Sequence, residues 1–407
     1  MTRMKFPSGQ VYDALVLDAQ ANQALVAIRS LGEKGLRVAA MGSHGRNIPA
    51  FLSKWCKIGL VSPAKEGTKE YADYLIEFIK RNKTGVIFSS SDGTVALLQK
   101  YRNIISRYST IAIGSEKALA TAVNKIKTLE AAKKLGINSP KSYRVKSKED
   151  LEDAFRFLSF PIVVKPAESW TENKSGTKRV APGLATTKEE AYKLFLESTE
   201  YGGETIFQEY LPGRREAVAL LYKEKKFYAE FAQWAQRTQP PLGGSSVLRE
   251  TIPMPKDIGE QARALIRAID LEGYSLVEFR RDAKGVPYLM EINPRLTMSV
   301  VLAYDAGCDF PYLLYLLLRG RKHIPAASYK YGVWERYLAG DIINMVEALR
   351  QGGKPGVPRS SRVIYDFITT FFRPMHYDCV DFRDILPVLD ATRDSIARNV
   401  KKIWKNI

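Results

Sequence analysis

The chain has 407 residues, with 62 Lys and Arg against 44 Asp and Glu, a formal net charge of +18, and 45% hydrophobic residues. That length and composition suit a globular protein of several domains, which needs no disulfide or metal staple to hold its core. Cys56, Cys308 and Cys379 lie far apart, with no CxxC pair and no histidine at ligand spacing, which argues against a zinc site. Unclustered thiols and the lack of an apolar leader at the N-terminus lead us to expect a cytoplasmic protein. The most apolar run, Phe310 to Leu318, is interrupted by Pro311 and is too short to cross a bilayer. Basic residues are spread along the chain and no RRM, KH or zinc-finger signature appears, so the charge indicates a solvated basic surface or an anionic small molecule rather than a specific nucleic acid.

Over the first 115 residues short apolar runs alternate with helical patterns. Ala14 to Asp18, Leu36 to Met41, Gly85 to Phe88 and Thr110 to Ile113 read as strands. Asn22 to Lys34, Tyr71 to Arg81 and Thr94 to Tyr101 read as helices. This alternation predicts a parallel sheet with covering helices. The first strand-to-helix turn, Leu17 to Gln23, has no glycine, which disfavours a dinucleotide cofactor there. A helix from Asn124 to Leu135, closed by Gly136, leads to a β-branched strand, Pro161 to Lys165, and a polar segment, Glu168 to Gly183. A helix near Lys188 to Ser198 precedes three strand-like runs, Glu204 to Tyr210, Ala217 to Tyr222 and Phe227 to Trp234, the last two joined as a hairpin at Lys223–Lys226. The pattern is mixed from about residue 322 and ends in a helix-like stretch, Asp390 to Trp404.

The chemistry concentrates in Val277 to Arg295. Asp282-Ala-Lys-Gly285 has turn composition between two β-prone runs. A four-residue loop would pair Arg281 with Val286 and set Glu278 opposite Leu289. Glu278, Glu291 and Asn293 would then share one face, with the two carboxylates as diagonal neighbours roughly 7–8 Å apart. Two carboxylates and an amide oxygen converging on one face suit Mg²⁺, which completes its shell with phosphate and water. Arg295, just beyond, could stabilise charge on a transferring phosphoryl group. Lys165 ends a buried strand bounded by prolines, and Lys125 opens the preceding helix; either ammonium could meet phosphate. Gln208-Glu-Tyr-Leu-Pro-Gly213 ends a strand at a proline and leaves backbone groups free to read a planar ring edge.

Lys125, Phe160-Pro-Ile-Val-Val-Lys-Pro166, Gln208 to Gly213, Glu278 and Glu291-Ile-Asn-Pro-Arg295, in that order, resemble the motif set of the ATP-grasp superfamily, in its carbamoyl-phosphate-synthase-like and D-aspartate-ligase-like branch. The resemblance spans about residues 1 to 320. It implies a mixed α/β and α+β multidomain fold. A Rossmann-like pre-ATP-grasp domain would cover residues 1–120. An ATP-grasp domain would cover 121–321, with lobes at about 121–205 and 206–321, and a C-terminal extension 322–407. It implies that Lys125 and Lys165 contact ATP phosphates, that Glu209, Tyr210 and Leu211 receive adenine, and that Glu216 holds the ribose. It also implies that Glu278, Glu291 and Asn293 bind two Mg²⁺ ions, with Mn²⁺ as an alternative, and that Arg295 faces the γ-phosphate. The usual glycine-rich phosphate lid is replaced here by a longer segment with one glycine, in which Ser175-Gly176-Thr177 is the candidate. Arg237 and Gly243-Gly-Ser-Ser246 resemble a substrate-side loop, giving Arg237, Ser245 and Ser246 as substrate candidates. Asp92, just after a first-domain strand, is either a further substrate contact or a helix cap.

The function these motifs imply is ATP-dependent ligation of a small-molecule carboxylate to an amine, through an acyl phosphate, with release of ADP and phosphate. A ligase that adds an amino acid to a protein or other macromolecule, and a non-catalytic ATP-binding regulatory protein, are the competing readings. The C-terminal segment is expected to serve packing or a homodimer contact.

Overall fold

The computed structural model describes residues 7–393 except 44–46, 174–175, 201, 203, 242 and 353–355. Strands β1 (Val11–Val16), β2 (Val38–Ser43), β3 (Cys56–Ser62), β4 (Lys83–Phe88) and β5 (Thr110–Ile111) form a parallel sheet in the order β3-β2-β1-β4-β5. Its inner strands β1, β2 and β4 are apolar on both faces because helices cover it: α1 (Asn22–Glu33), α2 (Lys69–Arg81), α3 (Asp92–Lys100) and the short α4 (Arg102–Ile105). The alternation read from the sequence accounts for this layer. The start of α3 differs from the reading. Ser91, not Asp92, is the N-cap, accepting from the Thr94 N–H at 3.1 Å, and this frees the Asp92 carboxylate for other contacts.

Helices α5 (Glu116–Ala122) and α6 (Lys125–Lys134) connect to a four-stranded antiparallel sheet. That sheet contains β6 (Ser142–Val145), β7 (Ile162–Pro166), β10 (Gly183–Ala185) and β11 (Thr205–Glu209), ordered β10-β7-β11-β6. Helices α7 (Glu149–Phe157) and α8 (Lys188–Thr199) pack on it, and a separate hairpin, β8 (Trp170–Asn173) and β9 (Gly176–Arg179), is inserted between β7 and β10.

The third sheet has seven strands, β12 (Arg215–Lys223), β13 (Lys226–Gln239), β14 (Ser245–Thr251), β15 (Gly273–Arg281), β16 (Pro287–Asn293), β17 (Trp334–Arg336) and β18 (His376–Tyr377), ordered β16-β15-β12-β13-β14-β17-β18. The hairpin read at Lys223–Lys226 forms with Glu224 and Lys225 both at positive φ, the conformation that matches strand twist in a two-residue loop. One face of this sheet, with Val218, Leu220, Val277, Phe279 and Ile292, buries against α5, α6 and α9 (Lys256–Ile269). The other, with Ala219, Phe231, Tyr274 and Leu276, packs on α10 (Ser299–Asp305), α11 (Phe310–Leu318) and α1, which joins the first sheet to the third through one core.

Two strands of this sheet come from beyond residue 322, where the sequence offered no clear pattern. Buried charge pins them in place. Arg249, fully buried, meets Asp378 at 2.8 Å and Glu335 at 3.1 Å. Burial pushes the Glu335 carboxyl well above its usual range. Arg29 of α1 holds Asp384 at 2.8 Å. Helices α12 (Leu338–Arg350) and α13 (Ser360–Thr369) follow β17. Of the helix read over Asp390–Trp404, residues 394–407 lie outside the described residues. Among the described residues no single helix is long and apolar enough to cross a membrane; α10 and α11, bent 97° to each other, both supply core residues.

Candidate functional site

The β15–β16 hairpin departs from the register expected of it. Arg281 pairs with Pro287, not Val286, and Phe279 with Leu289, so the loop is one residue longer than the sequence reading gave. The Asp282 carboxylate accepts from the N–H groups of both Lys284 and Val286, and Gly285 sits at φ +84°, which together stabilise the longer turn. That one-residue slip alone would turn Glu291 toward the apolar face. A bulge between Leu289 and Glu291 takes up Met290 as an extra residue and restores the face. Glu278 therefore lies directly opposite Glu291, closer than the diagonal arrangement expected. Asn293 donates its amide to Glu278 at 3.1 Å.

Cations converge on this pair from three other elements. Lys125, at the start of α6, is 3.5 Å from Glu291 and donates to the Ser169 hydroxyl at 2.9 Å. Its position is fixed by Asn124, which caps the helix, and by the Lys125 N–H to the Ala167 carbonyl. Arg215, at the start of β12, reaches Glu278 through two nitrogens, at 2.9 and 2.5 Å. Lys165, the last residue but one of β7, is only 4% exposed and forms no ion pair among the described residues. Burial first, and then the neighbouring Lys125, push its ammonium down to about 8, against the opposing pull of Glu291 and Glu278. Burial alone would raise the Glu291 carboxyl, but Lys125, Lys165 and Arg215 together hold it below its usual range.

Arg295, just past β16, completes the cluster. It meets Asp92 at 2.6 and 3.2 Å and donates to the Asn293 amide oxygen at 3.3 Å. Asp92 is thus the counter-ion of Arg295 rather than a helix cap. Burial works against its charge, but Arg295, Arg179 and Lys125 hold it at about 2. The loop carrying Asp92 is anchored by Asp18, a buried acid at φ +59° that accepts from the Ser90 N–H and the hydroxyls of Ser91 and Thr94. Four cations, Lys125, Lys165, Arg215 and Arg295, therefore face three carboxylates, Asp92, Glu278 and Glu291, which leaves the cluster one positive charge in excess.

Other expected site residues fall into place differently. Glu209 ends β11 and its carboxylate accepts from the Lys141 N–H at 2.8 Å. Beyond it, the backbone groups of Tyr210 and Leu211 have no backbone partner among the described residues, while Arg280 lies 5.0 Å over the Tyr210 ring. Glu216 does not join the cluster. Strand alternation puts it on the face away from Glu278, where it is 4% exposed and paired with Arg281 at 2.6 Å. Arg237 is likewise committed elsewhere, bidentate to the buried Asp341 of α12 at 2.6 Å to each oxygen. The segment around it is strand rather than substrate loop, with Ser245 and Ser246 paired to Gln239 and Thr238. Of the lid candidates, Ser175 lies outside the described residues and Gly176 opens β9. The segment that carries β8 and β9 docks on the first layer. The Trp170 ring lies against Gly67 and Gly93, where a Cβ on Gly93 would come within 2.8 Å of it, and Arg179 meets Asp92 at 3.3 Å.

Sequence reasoning missed Arg215, Ser169 and Asp18. Arg215 shares a face with Glu278 only through the β12–β15 register, which no local pattern encodes.

Glu278, Glu291 and Asn293 supply hard oxygen ligands, yet among the described residues no three His, Cys, Asp or Glu side chains form a free-standing metal site. The set fits an ion whose remaining ligands are phosphate and water, and the excess positive charge around it fits the phosphates.

Comparison with known proteins agrees with this geometry. A family described as ATP-grasp in the biosynthetic pathway with Ter operon matches residues 203–336. A D-alanine–D-alanine ligase of Pseudomonas entomophila is 26% identical over 219 residues, 49% of this chain, and the match spans 65% of that ligase's length. A carbamoyl phosphate synthase large chain of Pyrobaculum aerophilum is 23% identical over 76% of this chain and 30% of its own. Among solved structures, an N5-carboxyaminoimidazole ribonucleotide synthetase in complex with ADP superposes with a TM-score of 0.60 at 16% identity, covering 86% of this chain and 88% of that one. Residues 203–336 thus match an ATP-grasp family, and the chain as a whole has the fold of ATP-grasp enzymes.

Proposed function

We infer that the chain binds Mg-ATP at the Glu278–Glu291 cluster and ligates a small-molecule carboxylate to an amine, releasing ADP and phosphate. The observation that carries this reading is Lys165, a buried ammonium with no ion pair among the described residues, set beside a second buried ammonium and facing two carboxylates. A buried charge without a partner is costly, and a polyphosphate entering between Lys165 and Lys125 would remove that cost. In this reading residues 121–321 are the nucleotide-binding unit. The unpaired backbone of Tyr210 and Leu211, after Glu209, receives the adenine edge. Glu278, Glu291 and Asn293 would hold Mg²⁺, which when bound neutralises the phosphates and polarises the γ-phosphoryl group.

The chain's own residues do the rest. Lys125 and Lys165 orient the phosphate oxygens. Arg295, fixed in place by Asp92, stabilises the charge that spreads over the phosphoryl group as a substrate carboxylate oxygen attacks in line and the bond to ADP breaks. The amine then attacks the acyl carbon, with phosphate as the leaving group. The β8–β9 segment, held by Trp170 against the first layer, keeps water from the acyl phosphate. Glu216, Arg237, Ser245 and Ser246 have no role in this scheme.

The test is turnover of Mg-ATP with pooled amino acids and other carboxylates, with hydroxylamine as the trapping amine and Glu291→Gln as control. Carboxylate-dependent ADP together with a hydroxamate, both absent from the variant, is the expected result. AMP and pyrophosphate would overturn the mechanism.

A further inference from the structure

A cavity of about 390 Å³ opens beside the charged cluster, bounded by α3, α5, the segment after β7 and the end of β16. Asp92, Lys125, Glu291 and Asn293 line both this cavity and the cluster, so whatever fills the cavity reaches the phosphoryl-transfer centre at one end. Neither Lys165 nor the Glu209–Leu211 segment lines it, which separates it from the place proposed for adenine. Its volume lies at the small end of the range for small-molecule pockets.

The walls define the ligand's chemistry. Val95, Leu119, Val123, Ile292 and the Trp170 ring provide an apolar lining. Trp170 is a fixed wall because its ring is seated on the Gly67 and Gly93 backbones. At the inner end Asp92 is paired with Arg295 and Glu291 with Lys125, and around the rest of the lining Glu116 and Glu168 stand against one ammonium group, Lys100, one negative charge in excess. Glu168 is exposed and takes its hydrogen bond from the neutral Asn124 amide at 2.8 Å, so its charge is not cancelled by that contact. A second carboxylate or a phosphate is a poor guest for such walls, and a cation on an apolar body is a good one.

The geometry points to this cavity as the seat of the amine acceptor, and to the acceptor as a primary amine carried on a compact apolar body. The assignment rests on reading the adjacent cluster as the ATP site. It adds the acceptor's class and the first-layer helices, α3 and α5, as the elements that select it.

The test uses two probes of equal size and opposite charge, 2-phenylethylamine and 3-phenylpropionate, with the full chain. Binding is read by tryptophan fluorescence and by saturation-transfer NMR, and Mg-ATP binding is measured separately. Ala96 on α3 and Ala120 on α5 are exposed small residues of the cavity wall, so Ala96→Phe and Ala120→Phe fill it without touching the core. The expected result is amine binding at least tenfold tighter than carboxylate binding, lost by tenfold or more in both variants while Mg-ATP binding is unchanged. Glu116→Gln should narrow the preference for the amine severalfold. Tighter binding of the carboxylate, binding of neither probe, or amine binding indifferent to both fillings would overturn the assignment. Intact amine binding in a chain that fails to bind Mg-ATP would instead overturn the ligase reading and leave an amine site.

Discussion

Replacing Lys165 with methionine should stabilise the unliganded protein and abolish its nucleotide binding. The side chain is buried, with its ammonium held down to about 8 from 10.5, a difference of roughly 2.5 units. At 1.36 kcal/mol per unit, charging Lys165 in the folded state costs about 3 kcal/mol. Below pH 8 the folded and the unfolded chain both hold the proton, so the cost is fully present. Between about pH 8 and 10.5 the unfolded chain binds a proton that the folded chain does not, so wild-type stability rises with pH across that window. Lys165→Met has no such proton. Its advantage over wild type should therefore be about 3 kcal/mol near pH 7, apart from a constant packing difference, and should shrink steadily toward pH 10. Denaturant unfolding of both proteins at pH 7, 8, 9 and 10 measures this directly. A stability difference that stays constant over that range would refute the argument, because it would mean that Lys165 carries no electrostatic cost.

The same reasoning predicts proton uptake when Mg-ATP binds. Phosphate beside Lys165 raises its proton affinity again, so about half a proton should enter on binding at pH 8, read by calorimetry in buffers of different ionisation enthalpy. Asp92→Asn removes the counter-ion of Arg295. The Asp92 carboxyl is lowered from 3.8 to about 2, so its stabilisation of about 2 kcal/mol is present above pH 4 and lost as the pH falls toward 2. The variant should be less stable by about that amount at pH 7, with kcat reduced as Arg295 loses its fixed position, and the stability gap should close in acid. Arg215→Met leaves Glu278 with Asn293 as its remaining partner and should lower the melting temperature by an amount corresponding to about 3 kcal/mol, as measured by calorimetry. Arg215→Lys should recover part of that loss.

The alternation of apolar runs and helical patterns in the first 115 residues was enough to read the parallel sheet, because its inner strands β1, β2 and β4 are buried on both faces and each helix carries its own period. The carboxylate pair was legible as residues but not as geometry. A turn one residue longer and a bulge at Met290 change the register twice and cancel in parity, and neither leaves a mark in the strand pattern. Arg215 was invisible for a related reason, since its meeting with Glu278 depends on pairing between strands sixty residues apart. Asp92 was legible as a residue of interest, but of the two roles read for it, substrate contact or helix cap, the cap belongs to Ser91 beside it. The C-terminal strands β17 and β18 are three and two residues long, too short for any periodicity, and are fixed by the buried charges of Arg249, Glu335 and Asp378. Glu216 and Arg237 were assigned by resemblance, and strand parity and the Asp341 pairing, neither of which a local pattern encodes, set them apart from the Glu278–Glu291 cluster.

The account stands most directly on whether the Glu278–Glu291 cluster holds a magnesium-bound nucleoside triphosphate. Equilibrium titration of a non-hydrolysable ATP analogue, with and without Mg²⁺, into the wild type, Lys165→Met and Glu291→Gln measures this. The account predicts Mg²⁺-dependent saturable binding to the wild type and a loss of tenfold or more in each variant. Binding that ignores Mg²⁺, or that survives both substitutions, would contradict it.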